Sequence, residues 1–177
     1  MPTVSVNLSS KAFGSPAVVD LVKETLESRN VPARCLRLEV TEGVAMADPV
    51  RARQTLAELR ELGVRVSLDD FGTGYCSLSY LQKFTVDTLK IDRSFVHQMG
   101  EPGGAEIVKL IAALAQTLGL EIVAEGTETL RQVEALKALG CGFGQGYYFG
   151  RPLAPEQIVS PTGWSADAPW TRAKGAA

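Results

Sequence analysis

Val64-Arg65-Val66-Ser67-Leu68-Asp69 alternates apolar and polar side chains with period two, directly after a helical pattern that stops at Gly63. The alternation marks a strand with two unlike faces, Val64/Val66/Leu68 against Ser67/Asp69. The same arrangement recurs outward in both directions. Residues 4–8, 36–40, 87–92 and 120–125 read as strands, with a weaker sixth over 142–145. Helical patterns separate them. Ser15-Pro16 opens 17–28 and Asp48-Pro49 opens 50–62, each offering an N-cap followed by proline; 105–118 stops at Gly119, and 127–139 at Gly140.

Strand–helix alternation of this kind predicts an α/β fold with a parallel sheet, either doubly wound or closed as a (β/α) barrel. A doubly wound sheet has helices on both faces and near-continuous apolar strands. Here one face of each strand is apolar (Val4/Val6/Leu8, Leu36/Leu38/Val40, Leu89/Ile91, Ile122/Ala124) and the other polar (Ser5/Asn7, Arg37/Glu39, Thr88/Lys90/Asp92, Glu121/Glu125). The expectation is therefore a TIM-like barrel whose outer face meets the helices. It occupies residues 1–153, and 154–177 form an irregular tail containing Pro155, Pro161 and Pro169.

Composition excludes several classes. The 177 residues are 45% hydrophobic and 21% charged with a net charge of −2, which gives no electrostatic grip on DNA, RNA or an anionic membrane. Cys35, Cys76 and Cys141 lie far apart, consistent with reduced thiols in the cytoplasm. His97 is the only histidine, so a zinc site of His/Cys type is not expected, and the ring is placed toward solvent. The most apolar stretch, 107–123, is broken by Lys109, Gln116 and Glu121, and no membrane insertion is expected.

Asn7, Glu39, Asp69, Lys90, Glu125 and Gln145 each fall near the C-terminal end of a strand, on its polar face. In a parallel barrel those ends share one rim, where active sites are built. Several carboxylates there would repel one another unless cations neutralised them, and an all-oxygen set suits Mg²⁺ or Mn²⁺. Adjacent Asp69 and Asp70 allow one residue to bridge two ions while the next reaches the second. A single strand-end acid is commonly just solvated, and Lys90 could simply pair with Asp92 or Glu125. Recurrence on successive strands favours a site.

These segments resemble the successive motifs of EAL domains: Ser5-Val6-Asn7-Leu8-Ser9, Leu38-Glu39-Val40-Thr41-Glu42, Leu68-Asp69-Asp70-Phe71-Gly72-Thr73-Gly74-Tyr75, Asp87-Thr88-Leu89-Lys90-Ile91-Asp92, Val123-Ala124-Glu125-Gly126 and Gln145-Gly146-Tyr147. The resemblance implies hydrolysis of cyclic di-GMP to linear pGpG with two Mg²⁺ or Mn²⁺ ions. It implies Asn7, Glu39 and Asp69 on the first ion, and Asp69, Asp70 and Glu125 on the second. Lys90 would position the attacking water with Gln145 close by, and Glu128 would support the loop after Glu125. Glu42 would brace the loop of Phe71, Gly72, Thr73, Gly74 and Tyr75, which in the family sits at a homodimer contact.

The chain departs from the family at three points. The Glu-Ala-Leu triplet has no counterpart, Cys76 replaces a usual serine, and Thr127 a common valine. About two strands are missing by this comparison, so the expectation is a truncated domain or a misplaced start, with weak or lost activity. The competing readings are a non-catalytic cyclic-di-GMP-binding or protein-interaction module, and a fragment without function.

Overall fold

A computed structural model describes residues 3–74 and 77–154. Six strands follow one another in the sheet in chain order, β1 to β6. The chain divides into two compact units, residues 1–90 and 91–177, with the fourth strand, β4 (Thr88–Ile91), contributing to both.

In the first unit β1 (Val4–Asn7), β2 (Leu36–Thr41) and β3 (Arg65–Phe71) run parallel, with Asn7 beside Glu39 and Thr41 beside Asp69. Asp87 joins the next strand to β3, its N–H donating to Val66 O and its carboxylate accepting from Val66 N, both at 2.9 Å. Helices α1 (Ser10–Phe13) and α2 (Val18–Ser28) connect β1 to β2; α3 (Glu42–Ala47) and α4 (Pro49–Glu61) connect β2 to β3; α5 (Leu78–Leu81) precedes β4. Asp48 caps α4 by accepting from Arg51 N, and Pro49 occupies the first turn, as the sequence pattern requires. At α2 the cap differs from expectation. The helix begins at Val18 with no side-chain cap, and Ser15 Oγ instead accepts from Ala17 N.

Leu38, Val40, Val66 and Leu68 on the strands and Ala52, Leu56 and Leu59 on α4 are all buried, and α4 lies against β3. Burying a leucine of this kind contributes about 1.5–3 kcal/mol, so this layer dominates the unit's stability. The polar faces of β2 to β4 are buried as well: Ser67 and Thr88 are inaccessible, and Glu39, Asp69 and Lys90 nearly so. β1 departs from expectation, with Val4 58% and Val6 44% exposed. It is the edge strand, hydrogen-bonded on one side only, so alternation there does not translate into a buried face.

In the second unit α6 (Arg93–Gln98) follows β4, α7 (Gly104–Thr117) leads to β5 (Glu121–Ala124), and α8 (Leu130–Ala138) leads to β6 (Phe143–Gly144). β5 and β6 are parallel, with Val123 beside Phe143. Val96, Val108, Ile111, Ala115, Ile122, Ala124, Val133 and Leu136 fill the core. α8 starts three residues later than the pattern from Thr127 implied. Thr127 spends its N–H on Gln145 O and its carbonyl on Tyr148 N, and a Thr129/Gln132 capping box then opens the helix. Among the described residues no helix is long and apolar enough to cross a membrane. Apart from Ala154, the expected tail lies outside the described residues, as do Tyr75 and Cys76.

Candidate metal and catalytic centre

The first unit gathers Glu39, Asp69 and Lys90 at the C-terminal ends of β2, β3 and β4. Lys90 Nζ lies 2.7 Å from Glu39 Oε2 and 3.0 Å from Asp69 Oδ1. Lys90 thus pairs with two carboxylates on neighbouring strands. Two buried carboxylates face one ammonium group. Asn7 stands next to Glu39 in the β1–β2 register and is exposed, offering a carboxamide on the same side.

Asp69 and Asp70 carry carboxylate oxygens within 4.8 Å of one another. Asp69 Oδ1 also accepts from Asp70 N at 3.1 Å, and Asp70 adopts a left-handed backbone with φ 53°. That conformation is uncommon outside glycine, though Asp and Asn tolerate it best. It turns the chain sharply at the end of β3. The donors present are all oxygen, and they carry more negative charge than lysine cancels. They fit a hard divalent cation.

The loop beyond Asp70 is held from beneath. Glu42, the first residue of α3, is 1% exposed, and its Oε2 accepts from Gly72 N at 2.9 Å. A Cβ on Gly74 would fall 2.5 Å from Glu42 Oε1, so any larger residue there would displace the buried carboxylate. Thr73 closes the turn, donating from both N and Oγ1 to Asp70 O. Phe71 is buried. Tyr75, expected at the loop's tip, is outside the described residues.

The second unit presents Glu125 just beyond β5, its N–H donating to Ile91 O at 3.1 Å. Gln145 follows β6, with its N–H on Ala124 O at 2.8 Å and its carbonyl accepting from Thr127 N at 3.0 Å. The two residues thus share one backbone network at the ends of adjacent strands. Glu128 Oε1 lies 3.7 Å from His97 Nε2, both side chains about half exposed at 49% and 45%. The solvent-side placement expected for His97 holds, and the ring also leans on the loop after Glu125. Sequence reasoning missed Gln132, whose Thr129-x-x-Gln132 spacing is a capping-box signature, and Ser67, whose buried Oγ has no hydrogen-bond partner among the described residues.

Two titrating groups stand out. Burial disfavours the Asp92 carboxylate, but hydrogen bonds from Ser94 and Arg93, with the Arg93 charge, outweigh it and hold the carboxyl below its ordinary 3.8. Burial pushes the Cys141 thiol up to about 11, which makes it a poor nucleophile.

A family model described as EAL domain matches residues 1–152. The bifunctional diguanylate cyclase/cyclic di-GMP phosphodiesterase MucR of Pseudomonas aeruginosa is 44% identical over 158 residues, 89% of this chain and 23% of that protein. The cyclic di-GMP phosphodiesterase NbdA of the same organism is 44% identical over 151 residues, 85% of this chain and 19% of that protein. The solved PaMucR phosphodiesterase in its c-di-GMP complex superimposes with a TM-score of 0.86 at 44% identity, over 89% of this chain and 64% of that one. The chain thus spans about a fifth of the length of these curated relatives. Its fold is α/β, an incomplete TIM-like (β/α) barrel.

Proposed function

The chain belongs to the EAL domain family, and from that premise we propose that its chemistry is the hydrolysis of cyclic di-GMP to linear pGpG. The observation that carries this reading is Lys90 held between Glu39 and Asp69, a cationic donor fixed among the acids of the strand ends. Relatives named as cyclic di-GMP phosphodiesterases, and a neighbour solved with c-di-GMP, supply the substrate class.

Two Mg²⁺ or Mn²⁺ ions belong to the proposal. Asn7, Glu39 and Asp69 would hold one; Asp69, Asp70 and Glu125 would hold the other. When bound, such ions supply Lewis-acid polarisation of a phosphodiester and acidify a water. The chain's own groups do the rest. Lys90, anchored by two carboxylates, keeps one direction for its ammonium donors and orients the attacking water toward phosphorus. Gln145 lines the same approach. Attack breaks one P–O3′ bond of the cyclic dinucleotide, and the 3′ oxygen takes up a proton to leave pGpG. Glu42 holds the loop at Gly72 and lies beneath Gly74, and Phe71, Gly72, Thr73, Gly74 and Tyr75 are proposed as the homodimer contact. Glu128 supports the loop after Glu125.

Incubating the purified chain with cyclic di-GMP and Mn²⁺, and resolving products by chromatography, tests the reading. pGpG is expected. Neither turnover nor binding of cyclic di-GMP, in this chain or in one extended by its upstream sequence, would end it. Binding without turnover would instead establish a non-catalytic receptor.

A further inference from the structure

We infer that Gln132 and His97 form a two-point clamp that ties α6 to the loop presenting Glu125, and so are positioning residues for cation binding by that carboxylate. The inference rests on the role proposed for Glu125.

The loop runs from the end of β5 to the start of α8. On one side it is pinned to the turn after β6, by Thr127 N on Gln145 O and Tyr148 N on Thr127 O, both 3.0 Å. On the other side it leans on α6. Gly126 has φ +68°, and a Cβ there would fall 2.5 Å from Arg93 Cβ and 3.2 Å from His97 Nε2. The helix surface thus abuts the residue next to Glu125. Gln132 closes the contact. Its Oε1 accepts from Glu128 N at 2.8 Å, Thr129 N at 2.9 Å and Thr129 Oγ1 at 3.2 Å, while its Nε2 reaches Val96 O on α6 at 3.5 Å.

Capping α8 accounts for only part of this. The capping box needs the Gln132 oxygen and nothing more, and a glutamate would serve it equally. The amide nitrogen on Val96 O and the imidazole against Gly126 and Glu128 do nothing for α8. Both bear on where the loop lies relative to α6. At 3.7 Å the His97–Glu128 contact is too long for a hydrogen bond, so the ring acts by filling the space beside Gly126. Groups that orient a metal ligand without touching the metal are typically worth 10–100-fold in affinity.

Three variants of the full chain separate the clamp from the cap. Gln132→Glu keeps the acceptor and loses the donor to Val96. His97→Ala removes the ring, and His97→Gln keeps a side chain that fills much of the same space beside Gly126. Amide hydrogen exchange read by NMR is expected to speed up at residues 126–128 by roughly fivefold in Gln132→Glu, the factor one lost hydrogen bond gives, and to speed up also in His97→Ala, which loses the packing beside Gly126, with the interior amides of α8 unchanged. Calorimetric titration with Mn²⁺ alone is expected to show affinity about tenfold weaker in both, and restored to within about twofold in His97→Gln. Parent-like exchange in both variants would overturn the clamp, and a loosened loop with parent-like Mn²⁺ affinity would overturn the positioning role. A parent chain that takes up no Mn²⁺ refutes the cation role of Glu125 itself, and the exchange data then decide the clamp alone.

Discussion

Lys90 and Glu39, fifty-one positions apart, form a buried ion pair at 2.7 Å with side chains only 4% and 9% exposed. Asp69 makes it a triad at 3.0 Å. A pair this dry is a weak source of net stability, because each charge gave up its hydration to be there. Breaking it is another matter.

Lys90→Met would strand two carboxylates in a buried site, at a cost of about 3–5 kcal/mol. Urea unfolding of the variant should therefore show a clearly lower midpoint. Millimolar Mn²⁺ should recover part of the loss, since a cation that binds only the folded chain stabilises it by mass action. On the proposed function, hydrolysis of cyclic di-GMP should vanish regardless of metal. A variant as stable as the parent in metal-free buffer would show that the triad carries no electrostatic tension.

Glu42 and Gly74 make a second prediction. Glu42→Ala leaves Gly72 N without its acceptor, a loss of about 0.5–1.5 kcal/mol because Gly72 is exposed to water. Gly74→Ala pushes a methyl group against the Glu42 carboxylate from the other side. Both should loosen the loop and, on the proposed function, shift sedimentation velocity profiles toward monomer. Unaltered association in both variants would separate this loop from any dimer contact.

Asp70 separates backbone conformation from ligand chemistry. Its φ of 53° suits asparagine nearly as well as aspartate, but costs alanine about 1 kcal/mol. Asp70→Asn should melt near the parent and Asp70→Ala several degrees lower. Mn²⁺ affinity should fall in both to a similar extent, because both lose the carboxylate. Parent-like Mn²⁺ binding by Asp70→Asn would remove Asp70 from the cation set.

Period-two alternation located all six strands, because successive side chains of a strand point to opposite sides of the sheet, and the Asp48-Pro49 and Gly63 punctuation placed α4 to within a residue. The short helices were not legible. α1, α3, α5 and α6 have six residues or fewer, too short to display an apolar stripe, and caps and neighbours decide them instead. The strand-end acids could be picked out because one residue type recurs at one position. Their pairing could not: Lys90 choosing Glu39 and Asp69 depends on strand order and register, which no local pattern encodes. The contact of His97 with Glu128 was hidden for the same reason, since it joins two elements thirty-one residues apart.

Asp92 gives the pH dependence a definite sign. It caps α6, accepting from Ser94 N at 3.0 Å and from the Ser94 hydroxyl. Burial alone would raise its pKa. The Ser94 and Arg93 hydrogen bonds, with the Arg93 charge, prevail, and the folded value sits below the ordinary 3.8. A carboxyl with a depressed folded pKa contributes stability that is complete above its unfolded value and is lost as pH falls through the folded one. Asp92→Ala should therefore cost about 1 kcal/mol at neutral pH, the usual worth of an N-cap, and progressively less below pH 3.8. Urea unfolding of parent and variant between pH 7 and pH 2 reads the difference directly. The gap should close on the acid side. A gap that stayed constant to pH 2 would mean that the cap works equally well as a neutral acid, and that the Ser94 and Arg93 hydrogen bonds do not discriminate between its two forms.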